Sequence, residues 1–248
     1  MTEHPPSIQF ERRPEGGAIA RFRGLRLMSA FQPIWAFPAA HDLPEPVSAV
    51  AYEGLLRIAG EEGEVPPEAF FAGLAADMRA RVEAATRLLH LVNAASSLPE
   101  GATVFVNFDP SVFNGPASVT RILREMRLAL RESGLPAARA VCELTEQPAG
   151  SDEALGELAA GLRAQGHRIA IDDYGAQASD AARVDLVRPD IVKFDAAWVR
   201  RHMESAAGLA LLAQLVERFS ARDIATVFEG MEEGWQIELA ERSGATMV

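Results

Sequence analysis

From residue 103 onward the chain alternates short apolar runs with longer amphipathic ones, and each apolar run stops on a polar residue. Residues 103–106 end at Asn107, 140–142 at Glu143, 168–171 at Asp172-Asp173, 190–192 at Lys193 and 224–228 at Glu229. Short apolar runs are the signature of parallel strands buried on both faces. Between them lie helical patterns at 119–132, 152–165, 198–219 and 232–242. Ser151 is placed as an N-cap, and Gly134 and Gly166 as C-terminal stops. Strand–helix alternation predicts a parallel sheet with helices outside it. Seven or eight strands in a chain of 248 residues favour an α/β fold of the TIM-like (β/α)8 barrel type over an open sheet.

The first hundred residues are less regular. Residues 1–27 carry Pro5-Pro6, Arg12-Arg13-Pro14 and Gly16-Gly17 and are expected to be a loosely ordered or extended lead-in. The barrel domain is expected to occupy 28–248. Residues 29–37 read as a strand whose Pro33 marks an end or an edge. Residues 47–58 read as a second, interrupted by Glu53, although Glu is rarely buried without a partner. Pro66-Pro67 opens a helical region reaching Ser97, read as two helices. His90 in that region and Cys142 on its strand read as structural residues. The series Arg121, Arg124, Arg127 and Arg131 reads as a solvated helix face. Residues 245–248 look like the start of a last strand.

Asn107, Glu143, Asp172, Lys193 and Glu229 stand 36, 29, 21 and 36 residues apart. Each step is near the length of one βα unit, about 30 residues. Strand ends so spaced converge on one rim, and Glu53 joins from an earlier strand. Adjacent acids at a strand end admit two readings: Asp172 caps a helix while Asp173 points into water, or both face a cation. Taken together, five carboxylates, one amide oxygen and one ammonium, with no His or Cys, form a hard-oxygen site suited to Mg2+ or Mn2+ rather than Zn2+. Five acids exceed what one divalent ion neutralises, so two ions are expected. Such a pair activates water and stabilises in-line phosphoryl displacement. Lys193 could orient that water or meet phosphate charge.

Composition narrows the partners. A net charge of −11 argues against long nucleic acid but not against a small anion met by metal ions. No apolar run approaches the roughly 20 residues of a membrane span, and no N-terminal signal pattern is present. One cysteine excludes an internal disulfide and suits the cytoplasm.

The runs Phe31-Gln32-Pro33-Ile34, Glu53-Gly54-Leu55-Leu56-Arg57, Val106-Asn107-Phe108, Glu143-Leu144-Thr145-Glu146, Ile171-Asp172-Asp173-Tyr174-Gly175, Arg188 to Asp195 and Glu229-Gly230-Met231-Glu232 resemble, in order, the motifs of the EAL domain family. The resemblance covers residues from about 28 to the end. It implies a barrel with an early antiparallel strand and hydrolysis of cyclic di-GMP to linear pGpG with Mg2+ or Mn2+. It further implies that Glu53, Asn107, Glu143 and Asp172 hold one metal. Asp172 would bridge to a second, held with Asp173 and Glu229. Lys193 would contact the attacking water, and Gln32 and Arg57 the dinucleotide, Arg57 at a phosphate. Glu146 would anchor the loop after Gly175, and a homodimer is expected through the barrel face near that loop.

Three departures stand out. Gly54 replaces the signature alanine. Residues 176–181 lack the family's usual Gly-Tyr-Ser-Ser pattern. The chain stops at Val248, where the family continues with a Gln-Gly pair, so the C-terminal end is read as truncated. The altered loop supports a second reading, a domain that binds cyclic di-GMP or a protein partner without turnover. A third is another Mg2+-dependent barrel enzyme forming an enolate between a Lys base and metal.

Overall fold

The barrel is built around a long antiparallel pair. Strand β3 (Leu25–Ala36) runs against β4 (Ser48–Gly60) from Arg26↔Ala59 to Ala36↔Ser48. From β4 the sheet continues in parallel through β6 (Thr103–Phe108), β7 (Ala140–Leu144), β8 (Arg168–Tyr174), β9 (Ile191–Phe194) and β10 (Ala225–Phe228). The short β5 (Gly63–Val65) folds back on β4. Residues 245–248 close the ring: Met247 bridges Val227 in parallel and Ala36 in antiparallel fashion. Trp35 and Val248 exchange N–H···O bonds of 2.8 and 2.9 Å. This is the expected TIM-like barrel with an early antiparallel strand. The computed structural model describes residues 7–38, 48–112, 115–145, 147, 150–176 and 180–248, without the side chains of residues 48 and 180.

Helices α1 (Pro67–Ala72) and α2 (Ala76–Ser97) follow β5. Then α3 (Pro116–Ser133), α4 (Asp152–Ala164) and α5 (Asp180–Val187) alternate with the strands. Sequence pattern missed α5. The expected single helix over 198–219 is two, α6 (Ala196–Met203) and α7 (Ala206–Ser220), because Ser205 caps α7 by accepting from the Gly208 N–H at 3.0 Å. Last comes α8 (Gly234–Arg242). Ser151 caps α4 as expected, accepting from the Ala154 N–H, and Gly134 ends α3 in the left-handed region at φ 73°.

From residue 7 onward the lead-in is ordered rather than loose. Strands β1 (Gln9–Arg12) and β2 (Ala18–Phe22) form a hairpin that joins the sheet at β3. Ala18, Ile19, Ala20 and Phe22 are buried, and Phe22 packs edge-on to Phe70 at 6.0 Å. The paired glycines that suggest disorder instead make the hairpin turn, with Gly16 and Gly17 at φ 102° and 77°.

Two apolar layers flank the sheet. One lies between the strands and helices. The other fills the barrel: Ile34, Ala51, Phe105, Val141, Ala170, Ile191, Val227 and Met247, all buried. Six of these lie two residues before a predicted site residue. Side chains two apart on a strand share a face. The apolar plug at 51, 105, 141, 170, 191 and 227 therefore carries, one step up the strands, a second layer at 53, 107, 143, 172, 193 and 229.

Candidate metal centre at the barrel rim

That second layer is a knot of acids around one ammonium. Lys193 Nζ lies 2.9 Å from Glu53 Oε2, 3.2 Å from Asp172 Oδ1 and 2.6 Å from Glu229 Oε1, and pairs with Glu143 as well. Lys193 is 2% exposed and Glu143 fully buried. The Asn107 amide nitrogen reaches Glu53 Oε1 at 3.5 Å. The sequence spacing thus brings Glu53, Asn107, Glu143, Asp172, Lys193 and Glu229 together, the first five from different strands and Glu229 from the residue just past β10.

Asp173 needs a further device. On a regular strand it would face away from Asp172. Instead the β8–β9 register shifts between Ile171 and Tyr174, and Asp173 adopts φ 53°, a region Asp tolerates better than most residues. Such a bulge re-aims side chains at a strand end. Carboxylate oxygens of Asp172, Asp173 and Glu229 then lie within 4.8 Å of one another. Gly175 follows at φ 103°, where a Cβ would sit 2.5 Å from the Trp198 ring. The turn after Asp173 is therefore seated directly on α6.

The electrostatics follow from crowding. Burial alone would lower the Lys193 pKa, but Glu143, Asp172, Glu53 and Glu229 outweigh it and hold the ammonium well above its ordinary value. Burial pushes Glu143 well up, only partly offset by Lys193. Burial likewise raises Glu229, to about 7, against the pull of Lys193. Five carboxylates beside one ammonium leave four formal negative charges, the charge of two divalent cations. Two buried oxygens, Asn107 Oδ1 and Glu143 Oε2, accept no hydrogen bond, and Asp172 Oδ1 has none beyond its ion pair with Lys193. Unsatisfied buried acceptors are costly, and hard cations take oxygen donors of this kind. The residues fit a hard divalent cation.

Gln32 lies opposite Glu53 in the β3–β4 register and is exposed. Arg57, also exposed, donates to its neighbour Leu56 O at 3.1 Å. Neither touches the acids. Arg57 instead lines a cleft of about 400 Å3 beside Asn107, with Phe71, Arg79, Glu83, Arg87 and His90. Arg79 from α2 bridges Glu83, at 3.1 Å, and Asp109, two residues past Asn107. Glu83 Oε2, Thr86 Oγ1 and Arg87 Nη1 are buried without hydrogen-bond partners. Burial raises the Glu83 pKa, with Arg87 opposing. Sequence reading did not single out Arg79, Glu83 or Arg87. Their signal, charged residues on one side of a helix otherwise patterned for packing, is legible only once α2 is seated against β6. Glu146 and residues 177–179 lie outside the described residues.

The sequence matches the EAL domain family over residues 22–248. It is 28% identical over 153 residues to the probable cyclic di-GMP phosphodiesterase PdeG of Escherichia coli, 61% of this chain and 29% of that protein. Its fold is similar to a standalone EAL protein of Vibrio cholerae in its c-di-GMP-bound form (TM-score 0.74, 20% identity, 89% of this chain and 88% of that one). It is also similar to Klebsiella pneumoniae BlrP1 in a calcium/cyclic di-GMP complex (TM-score 0.72, 24% identity, 89% and 53%). With the seven motifs in order on one barrel and a family match across nearly its whole length, this chain belongs to the EAL domain family.

Proposed function

We propose that the chain is a metal-dependent phosphodiesterase that hydrolyses cyclic di-GMP to linear pGpG. The observation that carries this reading is the oxygen-rich layer at 53, 107, 143, 172 and 229, with Asp173 turned to join it. In it Glu53, Asn107, Glu143 and Asp172 would hold one divalent ion, and Asp172, Asp173 and Glu229 a second, Mg2+ or Mn2+. When bound, the pair supplies an activated water and charge neutralisation at phosphorus. Water attacks one phosphodiester, the bond to the 3′ oxygen breaks, and the ring opens. Lys193 keeps its proton in this setting, so its ammonium orients the water or meets charge growing on phosphate oxygen. Arg57 meets a phosphate at the rim and Gln32 contacts the dinucleotide. The cleft beside Asn107, where Glu83 Oε2, Thr86 Oγ1 and Arg87 Nη1 have no hydrogen-bond partner although Glu83 and Arg87 form an ion pair at 3.9 Å, offers acceptors and donors to the edge of a base.

The same reading places the catalytic domain at 28–248, with Glu146 anchoring the loop after Gly175. It places the protein in the cytoplasm, with no partner among long nucleic acids, and as a homodimer checked by light scattering. No helix among the described residues is long and apolar enough to cross a membrane. The deciding experiment is chromatography for pGpG after incubation with cyclic di-GMP and Mn2+ or Mg2+. Glu53→Ala is expected to lower turnover by on the order of a hundredfold or more. Binding without product in the parent chain would overturn the enzyme reading in favour of a receptor.

A further inference from the structure

Glu53 is held from inside the barrel by Asn107 and Lys193. Its outer side raises a separate question: what fixes the β4 backbone that carries it? The next residue, Gly54, faces α2, and a Cβ there would meet His90 Cγ at 3.0 Å and His90 Cβ and Cδ2 at 3.2 Å. Gly54 has no positive φ, so no conformational demand accounts for glycine at this point. A glycine inside a strand marks a close approach by another group, and here the group is the imidazole of His90.

That imidazole is not free to give way. It is 3% exposed and stands edge-on to Phe31 at 6.4 Å. Its Nδ1 is 2.7 Å from Ser29 Oγ. Ser29 Oγ accepts from Asn93 Nδ2 at 2.9 Å. Asn93 in turn donates to Ala18 O at 3.0 Å and accepts from the Ala18 N–H at 2.6 Å. A continuous set of contacts therefore runs from β2 through α2 and β3 to the back of β4, ending one residue from Glu53. The Nδ1–Ser29 bond and the Phe31 contact hold the ring where it is, so a methyl group at position 54, closer than ordinary contact, presses β4 away from it.

We propose that His90 is a positioning residue for Glu53, acting through Gly54: the ring is a fixed backstop behind β4 that sets where the Glu53 carboxylate enters the barrel. His90 touches none of the acids. This rests on the reading of Glu53 as a metal ligand but not on turnover.

The test is Mn2+ affinity by calorimetry on the full chain, with thermal melting as the folding control, for Gly54→Ala, His90→Ala and the double variant. Gly54→Ala is expected to weaken Mn2+ binding by on the order of tenfold while still melting cooperatively. His90→Ala, which removes the backstop, is expected to weaken it as well. In the double variant the new methyl fills space the ring has left, and affinity should return to within about threefold of the parent. A purely structural role for His90 would shift the melting temperature of all three and leave Mn2+ affinity unchanged, which overturns the proposal. So would a double variant no better than the product of the single effects. If His90→Ala does not fold, Gly54→Ala alone decides, because it retains the ring and its bonds. A parent that binds Mn2+ but makes no pGpG refutes the enzyme reading only. A parent that binds no Mn2+ refutes both.

Discussion

One ammonium among four carboxylates sets what each residue of the rim can do without metal. Removing Lys193 leaves Glu53, Glu143, Asp172 and Glu229 facing one another with no cation. Breaking a buried ion pair by deleting one partner costs about 3–5 kcal/mol, and in a domain of this size each kcal/mol moves the melting point by about 2–4 °C. Lys193→Met is expected to melt roughly 10 °C below the parent in chelator and to recover most of that loss in Mn2+. A variant that melts like the parent in chelator would mean the acids are already protonated or hydrated without Lys193. At this scale the sequence was most legible. The polar residue two places after an apolar one, at six strands, needs only the two-residue period of a strand to reach the barrel mouth. The Gly54–His90 contact was not legible, because a glycine in a strand does not say which of the distant side chains fills its space.

Elements show where local pattern fails. The 18–22 run is a five-residue strand, too short for its alternation to outweigh the glycines and arginines around it. Only its tertiary partners, Phe70 and the apolar side of α2, make it a hairpin. The bulge in β8 is likewise absent from the sequence: two adjacent acids say nothing about φ. That bulge depends on Gly175, where a Cβ would enter the Trp198 ring and φ 103° disfavours any other residue. Gly175→Ala is expected to move the Asp172-Asp173 end of β8 off α6. Mn2+ binding should weaken by roughly tenfold or more, with a loss of about 1–3 kcal/mol in urea unfolding. Unchanged Mn2+ binding would show that the second ion does not need the bulge. Hairpin and bulge share a physical reason for their invisibility: each is stabilised by a neighbour far along the chain.

Across the whole molecule, two buried groups give opposite pH dependence. Burial holds His90 neutral down to about 3, against 6.5 unperturbed. Between these values the unfolded chain binds a proton that the fold refuses. Stability therefore rises with pH, by up to about 1.4 kcal/mol per unit from this residue. Glu229, raised to about 7 from 4.5, works the other way. Over that range the fold keeps a proton the unfolded chain has released, so stability falls as pH rises. Without metal the two oppose each other from about 4.5 to 6.5. Mn2+, by favouring ionised Glu229, removes the falling part. Glu143, pushed well up by burial, adds to the falling part. Urea unfolding at pH 5, 6 and 7 is expected to show stability falling with pH in chelator and falling less, or rising, in Mn2+; parallel profiles would refute the assignment.

The ring closes only where residues 35–37 meet 246–248, two segments separated by most of the chain. Closing so long a loop is slow compared with local pairing. On the ribosome, where synthesis proceeds at about 5–20 residues per second, the edges of β3 and β10 stay open until residues 246–248 have been made. Each then offers unpaired backbone groups to any neighbouring strand. The interval before closure is when this protein is most exposed to aggregation, and its length is set by where in the chain the closing segment lies.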